Sequence, residues 1–166
     1  MKQKSRFPCS YVIIADKCSI SREGDSMRPY IHKVQYYETD KMGITHHSNY
    51  IRWAEEARID YMEQMDIAYD MLEKMGVSVP VIGVAFDYRK STTFNDIVRI
   101  EPRISEYNGI RVNLTYTMID DRTGDTVAEG KTRHCFMNGK GSPLSLKKNF
   151  TELDDIISKY SPEKQK

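Results

Sequence analysis

The sequence predicts an α+β domain, with one long helix set against a run of antiparallel strands. Two observations carry this. From Asn49 to Met65 apolar residues recur at helical spacing, with Tyr50, Trp53, Ala54, Ala57, Tyr61 and Met65 on one stripe. Further along, the period becomes two: Val112, Leu114, Tyr116 and Met118 alternate with Arg111, Asn113, Thr115 and Thr117. A sheet wrapped round the helix would bury it on most sides, which explains the large aromatics in its stripe.

The elements follow in order. Residues 1–29 are polar and mixed, without sustained periodicity, and read as an N-terminal extension. Within them Arg22-Glu23-Gly24-Asp25-Ser26 is loop-like, and Met27 is an alternative translation start. The patterned domain runs over 30–160, and 161–166 form a polar tail. Tyr30 to Glu38 holds Ile31, Val34, Tyr36 and Tyr37 and reads as a first strand. Asp40-Lys41-Met42-Gly43 reads as a turn. Ser48 is placed to cap the long helix, whose outer face carries Arg52, Glu55, Glu56 and Glu63 at pairing distance. Asp66 interrupts the pattern, and a shorter helix ends at Gly76. Alternation then marks strands over 82–88, over 97–104 around Pro102, over 112–118 and over 126–137. Gly124 lies in the turn before the last strand, and Gly130 within that strand suggests a bulge. Phe150 to Tyr160 reads as a final amphipathic helix.

Composition excludes several classes. The 166 residues suit one domain, and 25 basic against 24 acidic residues leave a net charge of +1. A nucleic-acid binder that neutralises phosphates shows a large basic excess, which is absent. The N-terminal apolar stretch, Tyr11 to Ala15, is far shorter than the ~18 residues a membrane span requires and too short for a signal peptide. Cys9, Cys18 and Cys135 form no CxxC pair, so neither a zinc site nor a disulfide framework is indicated. Reduced thiols in the cytoplasm are the simplest reading.

The densest polar cluster runs from Tyr37 to Tyr50 and joins a strand end to a helix start. A helix N-terminus carries roughly half a positive charge and unbonded N–H groups. A carboxylate before it, Asp40, would stay ionised, and a carbonyl oxygen could point at the amides. The alternative is that Asp40 only initiates the turn. Gly43 supplies a positive φ or lets a ligand approach the backbone, or is simply a turn glycine. His46 and His47 are poor metal ligands, because adjacent residues entering a helix diverge by about 100°. One of them could be a general base; both could be hydrogen-bonding residues that shape the turn. Arg89, Lys90, Lys131, Arg133, Lys147 and Lys148 could hold a phosphate or be ordinary surface charge.

The stretch from Val34 to Met62 resembles the hotdog-fold acyl-CoA thioesterases of the 4-hydroxybenzoyl-CoA thioesterase type, including the YbgC-like group. The residues that carry the resemblance are Tyr36-Tyr37-Glu38-Thr39-Asp40, Gly43-Ile44, His46-His47-Ser48-Asn49-Tyr50, Trp53 and Glu55-Glu56-Ala57-Arg58. Ala128-Glu129-Gly130 with Thr132 and Phe136 is similar to the family's last strand. The resemblance implies an antiparallel sheet of about five strands round the helix, and a dimer or dimer of dimers with the site at the subunit interface. It implies Asp40 as the catalytic carboxylate, Gly43 in the catalytic turn, and the backbone N–H near His47 as the group that polarises the carbonyl. Tyr37, His46, Asn49 and Tyr50 fall at its substrate-binding positions. No cofactor and no metal are expected. Lys41, the His46-His47 pair and Asp66 depart from the family pattern; Asp66 stands where a glycine is common.

A thiolate with a pKa of about 8.5 leaves without a strong acid, so thioester hydrolysis needs mainly a nucleophile or activated water and an oxyanion site. The expected activity is hydrolysis of an acyl-CoA or acyl-carrier-protein thioester. The alternatives are a dehydratase or hydratase using His46 or His47 with Glu55 or Glu56, and a non-catalytic acyl-CoA-binding module. Neither a nucleic-acid nor a membrane partner is expected.

Overall fold

Apolar–polar alternation places one face of the strands over 97–107, 111–120 and 126–135 in a common core. The computed structural model describes residues 27–162. Among them β1 (Tyr30–Lys33), β3 (Val81–Tyr88), β4 (Ile97–Tyr107), β5 (Arg111–Asp120) and β6 (Thr126–Cys135) form one antiparallel sheet in the order β1-β4-β5-β6-β3. Two residues, Val77–Ser78 (β2), pair with Met137–Asn138 (β7) beside it. The long helix α1 (His47–Gln64) follows β1 in the chain and packs against β4 and β1. Short helices α2 (Tyr69–Lys74), α3 (Leu146–Asn149) and α4 (Thr151–Lys159) complete the fold.

All six residues of the expected apolar stripe on α1 are buried. They meet Val98, Ile100, Leu114, Tyr116 and Met118 from the sheet in one core. A fully buried side chain of this size stabilises by roughly 1.5–3 kcal/mol, so this face holds the helix in place. No helix among the described residues is long and apolar enough to cross a membrane. The readings of Cys9, Cys18, Tyr11 to Ala15 and Arg22 to Ser26 lie outside the described residues; Cys135 is buried as a free thiol.

Four local expectations are corrected. The first strand stops at Lys33, because the chain folds into a 3-10 turn at Tyr36–Glu38. The Glu38 carboxylate reaches back to accept the Gln35 N–H at 2.7 Å, and the Glu38 N–H donates to Gln35 O. Tyr36 and Tyr37 are thereby turned outward, 77% and 79% exposed. The cap of α1 is His46, two residues before Ser48: His46 is extended, and its Nδ1 accepts from the Ser48 N–H. The last strand ends at Cys135, and Phe136 separates it from β7. Gly130 makes no bulge. It pairs in register with Phe86 and Tyr116, and the Phe86 ring lies where a Cβ would be.

Two residues that look disruptive fit for physical reasons. Pro102 has no N–H to donate, yet lies inside β4. Pairing with β1 ends at Ile100, and among the described residues no strand pairs with that edge of β4 opposite Pro102. Asp66 takes φ of +60° just after α1, the left-handed conformation for which glycine is favoured.

A polar chain runs through the core. Tyr116 Oη and His134 Nε2 both meet Thr132 Oγ1, at 3.0 and 2.8 Å. Burial, together with the nearby Arg58 guanidinium, lowers the His134 imidazole from 6.5 to about 4. The unfolded chain takes this proton near its ordinary value and the folded chain only near the lowered one. This group therefore costs stability progressively as pH falls from 6.5 towards 4. His134→Gln keeps a polar partner for Thr132 and does not titrate. Its thermal midpoint should fall less steeply than that of the wild type over this interval; parallel pH curves would contradict the assignment.

Candidate active site

Between β1 and α1 the chain makes a miniature hairpin. Thr39 and Thr45 bridge antiparallel, and the Asp40 N–H donates to Ile44 O at 2.9 Å. Gly43 turns the tip with φ of +75° and donates its N–H to Asp40 O. No atom lies within 4 Å of where a Gly43 Cβ would stand, so conformation rather than space requires glycine there. Asp40 is half-buried, and its Oδ1 accepts the Met42 N–H at 2.7 Å, which orients the carboxylate.

The hairpin is tied to the loop after β3. The Thr45 N–H donates to Thr92 O at 2.8 Å, and their hydroxyls lie 2.7 Å apart. Tyr50 Oη reaches Thr92 Oγ1 at 3.1 Å. Burial raises the Tyr50 phenol above its ordinary value, against the opposing Thr92 and Thr45 hydrogen bonds. It is therefore a neutral hydrogen-bonding group at physiological pH.

Beside these ties lies an open cavity of about 310 Å³. Asp40, Ile44, His47 and Tyr50 line it on the helix side; Tyr88, Arg89, Lys90 and Ser91 line it from the end of β3. Tyr88 packs edge-on to Tyr50 at 5.1 Å and donates its hydroxyl to His47 O at 3.1 Å. The N–H groups of the first helical turn have no intrahelical acceptor. That of Ser48 goes to His46 Nδ1 and that of Asn49 to His46 O, which leaves the His47 N–H at the positive end of an 18-residue helix. Arg89 pairs with Glu129 at 3.0 Å and Lys90 with Asp125 at 2.7 Å on the exposed rim.

The structure thus brings Asp40, His47 and Tyr50 together. The other residues singled out in the sequence lie elsewhere. Tyr37 points into solvent. His46 caps the helix and stacks at 4.2 Å on His47. Asn49 is buried, with its amide donating to Glu38 O at 2.7 Å. Gly43 shapes the tip. Glu55 and Glu56 do not line the cavity: Glu56 accepts from Tyr30 Oη, and Glu55 faces Arg58. Tyr88 was readable only as a strand residue, since its place beside Tyr50 depends on strand order. Among the described residues no group of three or more His, Cys, Asp or Glu is placed to hold a metal ion.

A carboxylate and a helix N-terminus facing one cavity can perform acyl transfer to water: the first as nucleophile or base, the second as oxyanion site. The five-stranded antiparallel sheet on one long helix is the hotdog fold of thioesterases. The chain belongs to the thioesterase-like superfamily, whose family model matches residues 34–157. A relative from Aquifex aeolicus is 32% identical over 124 residues, 75% of this chain and 94% of its own. The acyl-CoA thioesterase YbgC of Haemophilus influenzae is 25% identical over 70% of this chain and 85% of its own. The crystal structure of DHNA-CoA thioesterase from Staphylococcus aureus superposes with a TM-score of 0.76 at 28% identity, covering 80% of this chain and 89% of that one.

Gly43→Ala forces a side chain into the left-handed region and should cost about 1–2 kcal/mol. Urea unfolding measures this; an unchanged midpoint would show that the tip relaxes freely.

Proposed function

We propose that the domain over residues 30–160 hydrolyses an acyl-CoA thioester to a carboxylic acid and coenzyme A, with Asp40 as the catalytic carboxylate. One observation carries the reading: the Asp40 carboxylate and the start of α1 line the same cavity. The names of the Haemophilus and Staphylococcus proteins, both thioesterases of coenzyme A esters, support it. The carbonyl oxygen accepts the His47 N–H, and the helix field favours the negative charge that develops there. Asp40 then attacks the carbonyl carbon to give a mixed anhydride, or takes a proton from an attacking water. The thiolate departs without an acid; on the anhydride route a water then cleaves the anhydride, releasing the carboxylic acid and restoring the Asp40 carboxylate. Tyr50 and Tyr88 flank the acyl group. Arg89 and Lys90 attract the phosphates of coenzyme A; exposed ion pairs such as theirs are worth only ~0–1 kcal/mol and exchange readily for a phosphate.

The expected test is thiol release from a panel of acyl-CoAs. Asp40→Asn should lower kcat by at least about a hundredfold while leaving the thermal midpoint near the wild-type value. Near-normal turnover would overturn the assignment. A dehydratase would pair a histidine with a helix carboxylate, and Glu55 and Glu56 do not line the cavity.

A second copy completes the site in this reading. The edge strand β3 leaves Val81, Ile82, Val84 and Tyr88 substantially exposed, and Tyr88 belongs to the cavity. An apolar edge with unpaired backbone groups is a template for another strand. The proposed dimer pairs β3 with its copy. Val84→Asp should shift the sedimentation coefficient to that of a monomer and reduce turnover. A monomeric wild type would contradict this arrangement.

A further inference from the structure

Glu38 is the one acidic side chain buried among the described residues, 5% exposed, and it lies behind the cavity rather than in it. Its carboxylate is fully engaged. Oε1 accepts the Trp53 Nε1–H at 2.7 Å; Oε2 accepts the Gln35 N–H at 2.7 Å and meets His32 Nε2 at 2.9 Å. Its peptide oxygen accepts twice more, from the His46 N–H at 2.9 Å and the Asn49 amide at 2.7 Å. One residue therefore ties together β1, the 3-10 turn, the helix cap and the first turns of α1.

The second layer is equally ordered. The His32 ring stacks on Trp53 at 4.5 Å, and its Nδ1 lies 3.4 Å from Glu56 Oε2. Glu56 in turn accepts from Tyr30 Oη at 2.9 Å. Burial pushes the Glu38 carboxyl up, but the hydrogen bonds from Gln35, His32 and Trp53 outweigh it and hold the group below its ordinary value. It is ionised at neutral pH. A buried charge is a poor way to gain stability, because apolar packing of equal volume often does as well. Its position points to another use. Asp40 lies two residues beyond Glu38, and the residue that Glu38 O holds, His46, immediately precedes His47.

We propose that Glu38 is a positioning residue, whose buried hydrogen-bonded clamp sets the Asp40 carboxylate and the His47 N–H at the separation the reaction requires. This rests on the catalytic reading of Asp40. A displacement of about 1 Å between such groups costs up to about a hundredfold in rate. It leaves ground-state binding nearly untouched.

The test compares Glu38→Gln, Asp40→Asn and Leu72→Ala in the full chain with the best acyl-CoA of the panel. Glutamine keeps the volume but presents an NH2 donor where the carboxylate has only acceptors. Glu38→Gln should lower kcat by about ten- to a hundredfold with KM within about threefold of wild type. The emission of Trp53, the only tryptophan in the chain, should shift with it. Leu72, buried in α2 and outside the clamp's hydrogen bonds, supplies the stability control: Leu72→Ala should lower the thermal midpoint at least as much and leave kcat within about twofold. If Glu38→Gln does not fold, His32→Gln, which keeps the carboxylate, should lower kcat severalfold at constant KM. Loss of turnover in Asp40→Asn beside full turnover in Glu38→Gln, or in His32→Gln where that is the variant measured, overturns the positioning role alone. So does an equal loss of kcat in Leu72→Ala. Full turnover in Asp40→Asn overturns the catalytic reading and the positioning role with it.

Discussion

The Glu38 peptide oxygen accepts the His46 N–H and the Asn49 amide, and so decides where α1 begins. With that point set, the His47 N–H belongs to the first residue of an 18-residue helix, and the positive end of the helix field lies at one corner of the molecule. A helix starting one residue later would turn its first amides by about 100°. The Asp40 hairpin is closed on itself by the Thr39–Thr45 bridge, and Thr92 anchors it from the other side. The cavity is thus bounded by short hydrogen bonds rather than by a loop free to choose its shape.

The large-scale frame that permits this is apolar. Trp53, Ala54 and Ala57 are almost wholly removed from water between the helix and the sheet. Burial of that stripe resists rotation of α1 about its axis. Trp53 serves both purposes: its ring is core, and its Nε1–H holds the Glu38 carboxylate. Core packing and the Glu38 hydrogen bond meet in one side chain, so the helix cannot roll without straining the corner where α1 begins. At the other end of α1, Arg58 is buried near His134 and helps keep that imidazole neutral.

Much of this was legible in the sequence because it follows from local periodicity. The α1 stripe, the alternating strands and the Asp40–Gly43 turn all lie where spacing places them, and Asp40 before a helix start is a local pattern. Where local pattern and structure differ, a local competition is decided by contacts at a distance. Tyr36 and Tyr37 have strand propensity, but Glu38 curls the backbone into a 3-10 turn once His32 and Trp53 are there to receive its carboxylate. Ser48 is the better cap by residue type, but His46 takes the position because its N–H is claimed by Glu38 O. Gly130 looked like a bulge because nothing in the chain near it shows that Phe86 will cross over it.

The sequence by itself determined the fold class, the family and the candidate carboxylate, since each rests on spacing within a continuous stretch. Only the tertiary structure decided what faces Asp40. Tyr88, Arg89 and Lys90 reach the cavity because β3 takes the edge of the sheet beside β6, far along the chain from its neighbours in space. Glu38 became a clamp for the same reason. Its partners come from β1, the turn and two turns of α1, and hydrogen bonds between such separated segments exist only once the core has brought them together.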